Sequence, residues 1–299
     1  MAHHGLTVPS GIPMRIDNNF RQEACPLCRS KNIFKLGNID YFRPITFSTM
    51  EIQLSMQPEI WSCRKCLSRF SQNVIPEQLA RSLYELGIGG KRWVSDSIDR
   101  TKHPEIVSAL WSVLRKGFVV LDIGANTGEL LDFAKEKGCQ TWGVDFCNSS
   151  REILMKKGHA AFSSIEEIPD SVYFDVILAF DLVEHLYNFQ DFIDFCHFRL
   201  SRNGLLIILT GNAESLGAKL AGTRWWYYKY PEHIVFPSKK YFKLFTDFHV
   251  ENILYTYSSL SFDQNMFIKW WGLIIGMLKR NYMALPSPGP DHIYLVLKK

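Results

Sequence analysis

The chain lacks an apolar run long enough to cross a bilayer. Its longest, from Met266 to Leu278, has 13 residues and contains Lys269, against about 20 for a helical span. It also lacks an excess of either charge. Lysines and arginines number 34 against 30 acids, a net charge of +4, which demands no polyanionic partner but leaves room for anionic substrates. No leader with a basic start and an apolar middle is visible. The first residues are polar, with His3, His4 and early prolines, so a cytoplasmic protein is expected. Internal repeats and low-complexity runs are missing too. These absences argue against transporters, secreted disulfide scaffolds and solenoids. What remains is a 299-residue chain of ordinary globular composition, 46% hydrophobic and 21% charged, enough for one large domain and a small one.

Seven cysteines in such a compartment suggest metal ligands or free thiols rather than disulfides. Four form two C-x-x-C pairs, Cys25/Cys28 and Cys63/Cys66, with 34 residues between the pairs. Two such knuckles supply four thiolates, the ligand set of a tetrahedral structural zinc. Four thiolates leave no open coordination position, so a catalytic zinc is not expected there. Strand-like stretches at 33–36 and 51–54 fit a zinc ribbon with a lengthened insert. Cys139, Cys147 and Cys196 read as small buried hydrophobes.

A glycine is missing where a dinucleotide site would want one. Residues 119–131, VVLDIGANTGELL, read as a strand, a tight glycine turn and a helix start. That arrangement lets backbone N–H groups approach a polar ligand. A pyrophosphate fingerprint needs Gly-x-Gly-x-x-Gly, but Asn126 and Glu129 occupy the second and third glycine positions. A carboxylate at the helix start would repel a pyrophosphate. Asp122 at the strand end suits a ligand bearing a cationic amine. A second apolar stretch ends at Asp145, 23 residues later, where an acid can accept from ribose hydroxyls.

At this point the chain resembles the class I S-adenosyl-L-methionine-dependent methyltransferases. LDIGANTGELL looks like their first motif, GVD their second and FDVILAFDLVEHL their fourth-strand motif. Residues 200–210 look like the segment leading into the fifth strand, so the resemblance covers about 105–210 firmly and the rest loosely. It implies an α/β, Rossmann-like sheet of seven strands, mostly parallel with the last antiparallel. The cofactor would be S-adenosylmethionine, held by Asp122, Gly124, Ala125, Asn126 and Gly128 at the amino-acid end. Asp145 and Phe146 would serve the ribose, Ser164 the adenine, and Phe180 and Asp181 the rim of the fourth strand. The cysteine module resembles the N-terminal zinc-binding domain of bacterial methyltransferases acting on sugars and other small molecules. Some ribosomal RNA methyltransferases also begin with a zinc module.

The expected domains are a loose tail over 1–20, a zinc-ribbon-like module over 21–75, a connector over 76–103 and the methyltransferase domain over 104–299. A helical stripe runs through Ile106, Val107, Leu110, Trp111 and Leu114, and Gly87 to Gly90 break the connector. Strands are expected near 119–123, 141–144, 160–162, 174–180 and 205–210. Segments 249–257 and 292–297 supply the last two, with an aromatic helix between them.

The catalytic side begins where the fourth strand ends. Asp181, Glu184 and His185 would face together if that segment is helical. His185 is read as a general base, as a structural histidine hydrogen-bonded to Glu184, or with both acids as a divalent-cation site. The trio resembles the E-x-x-E-H pattern of quinone-biosynthetic and small-RNA 2′-O-methyltransferases, with Asp181 in place of the first glutamate. Residues 223–233, TRWWYYKYPEH, bring aromatics with Arg224, Lys229 and His233, either as the wall of a small-molecule pocket or as a lid helix. His233 is a candidate second base.

The expected acceptor is a small hydroxylated metabolite, a sugar or sugar nucleotide. RNA methylation and non-catalytic cofactor binding are the alternatives. Against RNA, Arg21, Arg29, Lys31, Arg64, Lys65 and Arg69 are scattered and read as a solvated face. Residues 266–280 are expected to cover the final hairpin of the sheet, with peripheral membrane contact as the alternative. Oligomeric state is not legible.

Overall fold

The computed structural model describes residues 14–39, 45–47, 50–86, 104–256, 266–279, 285, 287 and 289–299. The Gly87–Gly90 break and the rest of the connector to 103 lie outside the described residues.

Among the described residues, the N-terminal part holds six strands and a helix. They are β1 (Met14–Ile16), β2 (Ile33–Asn38), β3 (Ile45–Phe47), β4 (Met50–Leu54), β5 (Glu59–Cys63), β6 (Arg69–Gln72) and α1 (Glu77–Leu86). The expected loose tail is not loose from Met14 onward. β1 pairs in parallel with β4, because Ile16 finds a buried place beside Phe47 and Ile52. Asn18 is fully buried; its amide donates to the Met56 and Asn73 carbonyls at 2.9 and 2.7 Å.

The C-terminal part alternates helices and strands. In order come α2 (Pro104–Val113), β7 (Val119–Ile123), α3 (Glu129–Glu136), β8 (Gln140–Val144), α4 (Asn148–Lys156), β9 (Ala160–Phe162) and β10 (Phe174–Phe180). Then follow α5 (Phe189–Arg199), β11 (Leu200–Gly211), α6 (Leu216–Ala221), β12 (Val235–Phe236), α7 (Lys239–Leu244), β13 (His249–Thr256), α8 (Met266–Leu278) and β14 (His292–Lys298). Seven strands form one sheet in the order β13-β14-β11-β10-β7-β8-β9. All run parallel except β14, which is antiparallel to both neighbours. The expected Rossmann-like methyltransferase sheet is therefore present. β10 reads FDVILAF because helices cover both faces of a parallel sheet, leaving hardly a polar position. The chain passes from β7 outward to β9 and then returns to β10 on the other side. That reversal opens a cleft beyond the C-terminal ends of β7 and β10.

Two features were not legible. First, β12 leaves the large domain to pair antiparallel with β6, completing a sheet of order β12-β6-β5-β2. One hydrophobic cluster runs from Cys25, Ile60 and Phe70 through Trp225 and Tyr228 to Leu121 and Ile177, so the cysteine module is welded to the sheet domain. Second, α8 does not act as a buried cover. Lys269 and Leu273 turn inward, while Phe267 is 73% and Trp271 63% exposed.

Candidate active site

The glycine turn after β7 takes the shape its residues dictate. Gly124, Asn126 and Gly128 all have positive φ, 80°, 46° and 82°. A Cβ on Gly128 would stand 2.5 Å from the Leu154 side chain, so glycine is obligatory there. The turn is pinned to β8: Gly124 N–H and Ala125 N–H both donate to the Val144 carbonyl, at 2.8 and 3.0 Å. Asp145 is oriented by two backbone donors, Asn126 N–H at 2.9 Å and Cys147 N–H at 2.8 Å. Each of its oxygens keeps a lone pair for a further donor. Asp122 is buried; burial, and then the charge of Asp145, push its carboxyl well above the usual carboxylate range. A cationic group beside these acids would relieve that. Phe146 is half exposed, and its ring lies 5.6 Å from that of Tyr84, contributed by α1. Ser164 opens the short 3-10 turn Ile165–Glu167, which follows β9.

The second half of the cleft lies past β10. Asp181 has φ +47°, and the following turn, Val183–His185, is a 3-10 turn rather than an α-helix. The expected alignment of Asp181, Glu184 and His185 on one helical face therefore does not form. Asp181 instead points into the cleft, its Oδ1 4.0 Å from His292 Nε2. Its side chain is 62% exposed at this rim.

Glu184 is fully buried. Its carboxylate accepts from Thr210 Oγ1 at 2.9 Å and from the Tyr227 hydroxyl. Burial, and then Glu184, drive the Tyr227 phenol well above its usual range, so it remains a donor. Gly211 makes this geometry accessible, because a Cβ there would collide with the Tyr227 ring.

The two candidate bases face each other, their ring centroids 4.8 Å apart and nearly perpendicular. His185 Nδ1 lies 2.9 Å from the Glu232 carbonyl and 3.2 Å from the Tyr84 hydroxyl. His233 Nδ1 lies 2.8 Å from the Tyr227 carbonyl. A carbonyl only accepts, so Nδ1 carries the proton in each ring and Nε2 keeps the lone pair when the ring is neutral. Burial, and then the proximity of His185, hold His233 well below the usual imidazole range. Glu184, His185 and His233 offer ligand atoms all within 4.8 Å of one another. Among the described residues this is the carboxylate–imidazole set able to hold a cation; Asp181 is not part of it.

Sequence reasoning missed His292 and Asp291. Asp291 is fully buried; it receives Trp226 Nε1–H at 2.7 Å and lies 2.9 Å from His292 Nδ1. Although burial alone would lower it, this partner raises the His292 pKa overall. The available signal was an adjacent acid and histidine opening a strand whose start lies at the cleft. Residues 223–233 do not form a lid helix. They wrap as irregular chain with Trp225, Tyr227 and Tyr228 buried, and Arg224 donates to the Gly276 carbonyl at 3.1 Å rather than into the cleft.

The four module cysteines also converge. Cys25 and Cys66 sulfurs are 3.7 Å apart, Cys28 and Cys63 sulfurs 3.5 Å. Sulfurs arranged tetrahedrally at about 2.3 Å from a zinc ion would be about 3.8 Å apart, so the set fits. The two knuckles are alike in backbone. Arg29 N–H reaches the Cys25 carbonyl and Leu67 N–H the Cys63 carbonyl, both at 2.9 Å, with Arg29 and Leu67 at positive φ.

Known proteins resemble the middle of this chain. A ubiquinone biosynthesis O-methyltransferase of Bradyrhizobium diazoefficiens is 34% identical over 103 residues, 32% of this chain and 41% of that protein. A protein of the same description from Rhodopseudomonas palustris is 30% identical over 105 residues, with the same shares. The chain thus spans about two fifths of the length of these relatives. A solved S-adenosylmethionine-dependent methyltransferase from Archaeoglobus fulgidus is 22% identical, with a TM-score of 0.47 over 67% of this chain and 95% of that one. Residues 96–252 match the family described as a methyltransferase domain. That match covers just over half of the 299 residues, and the chain belongs to this methyltransferase domain family.

Proposed function

We propose that the protein transfers a methyl group from S-adenosylmethionine to a small hydroxylated acceptor. The observation that carries the reading is the cleft itself. A backbone cradle with Asp122 and Asp145 stands on one side of the β7–β10 switch point, and the His185–His233 pair stands on the other. Gly124, Ala125, Asn126, Gly128 and Asp122 would hold the aminoacyl end. Asp145, with Phe146 beside it, would accept from the ribose hydroxyls, with Ser164 beside the adenine and Phe180 and Asp181 at the rim. When bound, the cofactor supplies an electrophilic methyl on a sulfonium, so the protein must align a nucleophile and take its proton. Nε2 of His185 or His233 would take the acceptor's hydroxyl proton. Glu184, held by Thr210 and Tyr227, would position the segment bearing both histidines, since its backbone carbonyl accepts from Ile234 N–H at 2.7 Å. The four cysteines would hold one structural zinc.

The first acceptor class is a sugar or sugar nucleotide, supported by the hydrogen-bonding groups Asp181, His185 and His292 around the opening. A phenolic acceptor is the second reading, supported by the similarity to O-methyltransferases of ubiquinone biosynthesis and by the partly exposed Trp226 ring beside His292, 6.0 Å away. Transfer of isotopically labelled methyl into nucleotide sugars, phenols and a metabolite extract separates them. His185→Ala and His233→Ala are expected to lower turnover by about a hundredfold with cofactor binding retained. Full activity in both would sink the base assignment.

A further inference from the structure

Helix α8 departs from the pattern of a surface helix. Lys269, Leu273 and Gly276, spaced i, i+4 and i+7, form its buried stripe. The opposite half of its circumference is apolar and open: Phe267 73%, Ile268 62%, Trp271 63%, Ile274 43%, Ile275 45% and Leu278 79% exposed. Successive helical residues are about 100° apart, so these six side chains fall on one continuous face. Contiguous exposed apolar surface of this kind marks an interaction site.

The chemistry around the face says what covers it. Between Asp263 and Asp291 the chain has no acidic residue; of its three basic ones Lys269 belongs to the buried stripe, while Lys279 and Arg280 follow the last turn, Arg280 outside the described residues. Lys279, exposed, follows directly on the last residue of the helix. A specific protein interface surrounds its apolar centre with polar rim groups, whereas this face runs from Phe267 to Leu278 without a polar side chain. A lipid surface needs no rim: acyl chains take the aliphatic and aromatic groups, and anionic headgroups take the basic end. The helix is about 20 Å long at 1.5 Å per residue, too short for a hydrocarbon core of about 30 Å. No helix among the described residues is long and apolar enough to cross a membrane. It would therefore lie along the surface.

The anchorage is firm and close to the cleft. Arg224 donates to the Gly276 carbonyl at 3.1 Å. Two residues on, Trp226 bonds Asp291, the partner of His292. α6, which leads into the same segment, exposes Leu216 and Leu220 on either side of Lys219.

We propose that α8 docks the protein on an anionic bilayer surface, its open apolar face inserted among the lipids and its basic end against the headgroups. The proposal stands independently of the acceptor and of methyl transfer. It is tested by sedimenting the full-length protein with vesicles of phosphatidylcholine containing phosphatidylserine, and with vesicles of phosphatidylcholine alone. Wild-type protein should sediment with the mixed vesicles, shift its tryptophan emission to the blue, and bind the neutral vesicles about tenfold more weakly. F267E together with W271E should weaken binding to mixed vesicles by tenfold or more, with an unchanged circular dichroism spectrum and melting profile showing that the fold persists. The proposal is overturned if wild-type protein stays in solution with both vesicles, or if the double variant binds equally well. It is also overturned if α8 instead joins two copies: a wild-type dimer in sedimentation equilibrium, converted to monomer by the double variant, with no vesicle binding.

Discussion

Replacing Tyr227 by phenylalanine isolates a single hydroxyl at the centre of the cleft. Glu184 is fully buried, and its two partners are Thr210 at 2.9 Å and the Tyr227 hydroxyl. The ring itself packs against His233, His292 and Trp225, and phenylalanine keeps those contacts. What is lost is one donor to a buried carboxylate, worth about 1.5–3 kcal/mol for a charged acceptor. No screening discount applies, because water does not reach the pair. Urea unfolding should show a midpoint lowered by roughly 1 M at an unchanged slope. A double-mutant cycle with Glu184→Gln supplies the control. Once the carboxylate is an amide, removing the hydroxyl should cost less, giving a coupling of about 1 kcal/mol or more. Strict additivity, or a Tyr227→Phe protein as stable as wild type, would refute the claim that Tyr227 secures Glu184.

Two other perturbations follow from the same geometry. His233 has its folded pKa held well below 6.5, so below pH 6.5 the unfolded chain binds a proton that the folded chain refuses. Stability is then lost as pH falls, by up to about 1.4 kcal/mol per pH unit from this residue. Asp122 and Asp145, whose carboxyls are raised, oppose it. The contribution is therefore read as wild type minus His233→Asn between pH 7 and 5, and parallel curves would contradict it. Elemental analysis should find one zinc per chain, lost in Cys28→Ser/Cys63→Ser. Because β12 pairs with β6, stripping the metal should also lower the melting temperature of the sheet domain; a metal-free protein of full stability would contradict this.

The sheet was legible because its strands are continuous apolar runs ending in turn residues, and β7, β9 and β10 begin and end where the pattern places them. The glycine turn after β7 was legible because positive φ and close backbone approach admit few residue types. The acceptor side was less so. Asp181 to His185 carries helical spacing, but the left-handed Asp181 and a tight 3-10 turn override it. His292 stands 107 residues from His185 in sequence, and only the antiparallel return of β14 brings it to the cleft. The β12–β6 pairing rests on two residues that have no periodicity to read. For α8 the sequence shows an apolar segment, but burial depends on what the rest of the chain lays over it.

The central claim is that the turn after β7 and Asp145 hold S-adenosylmethionine. Isothermal calorimetry tests it most directly. The account predicts one site per chain for the wild type, and Asp145→Asn weaker by about tenfold or more, because a charged acceptor for ribose hydroxyls is lost at about 1.5–3 kcal/mol. A wild-type protein that binds no S-adenosylmethionine, or an Asp145→Asn variant that binds it equally well, would contradict the account.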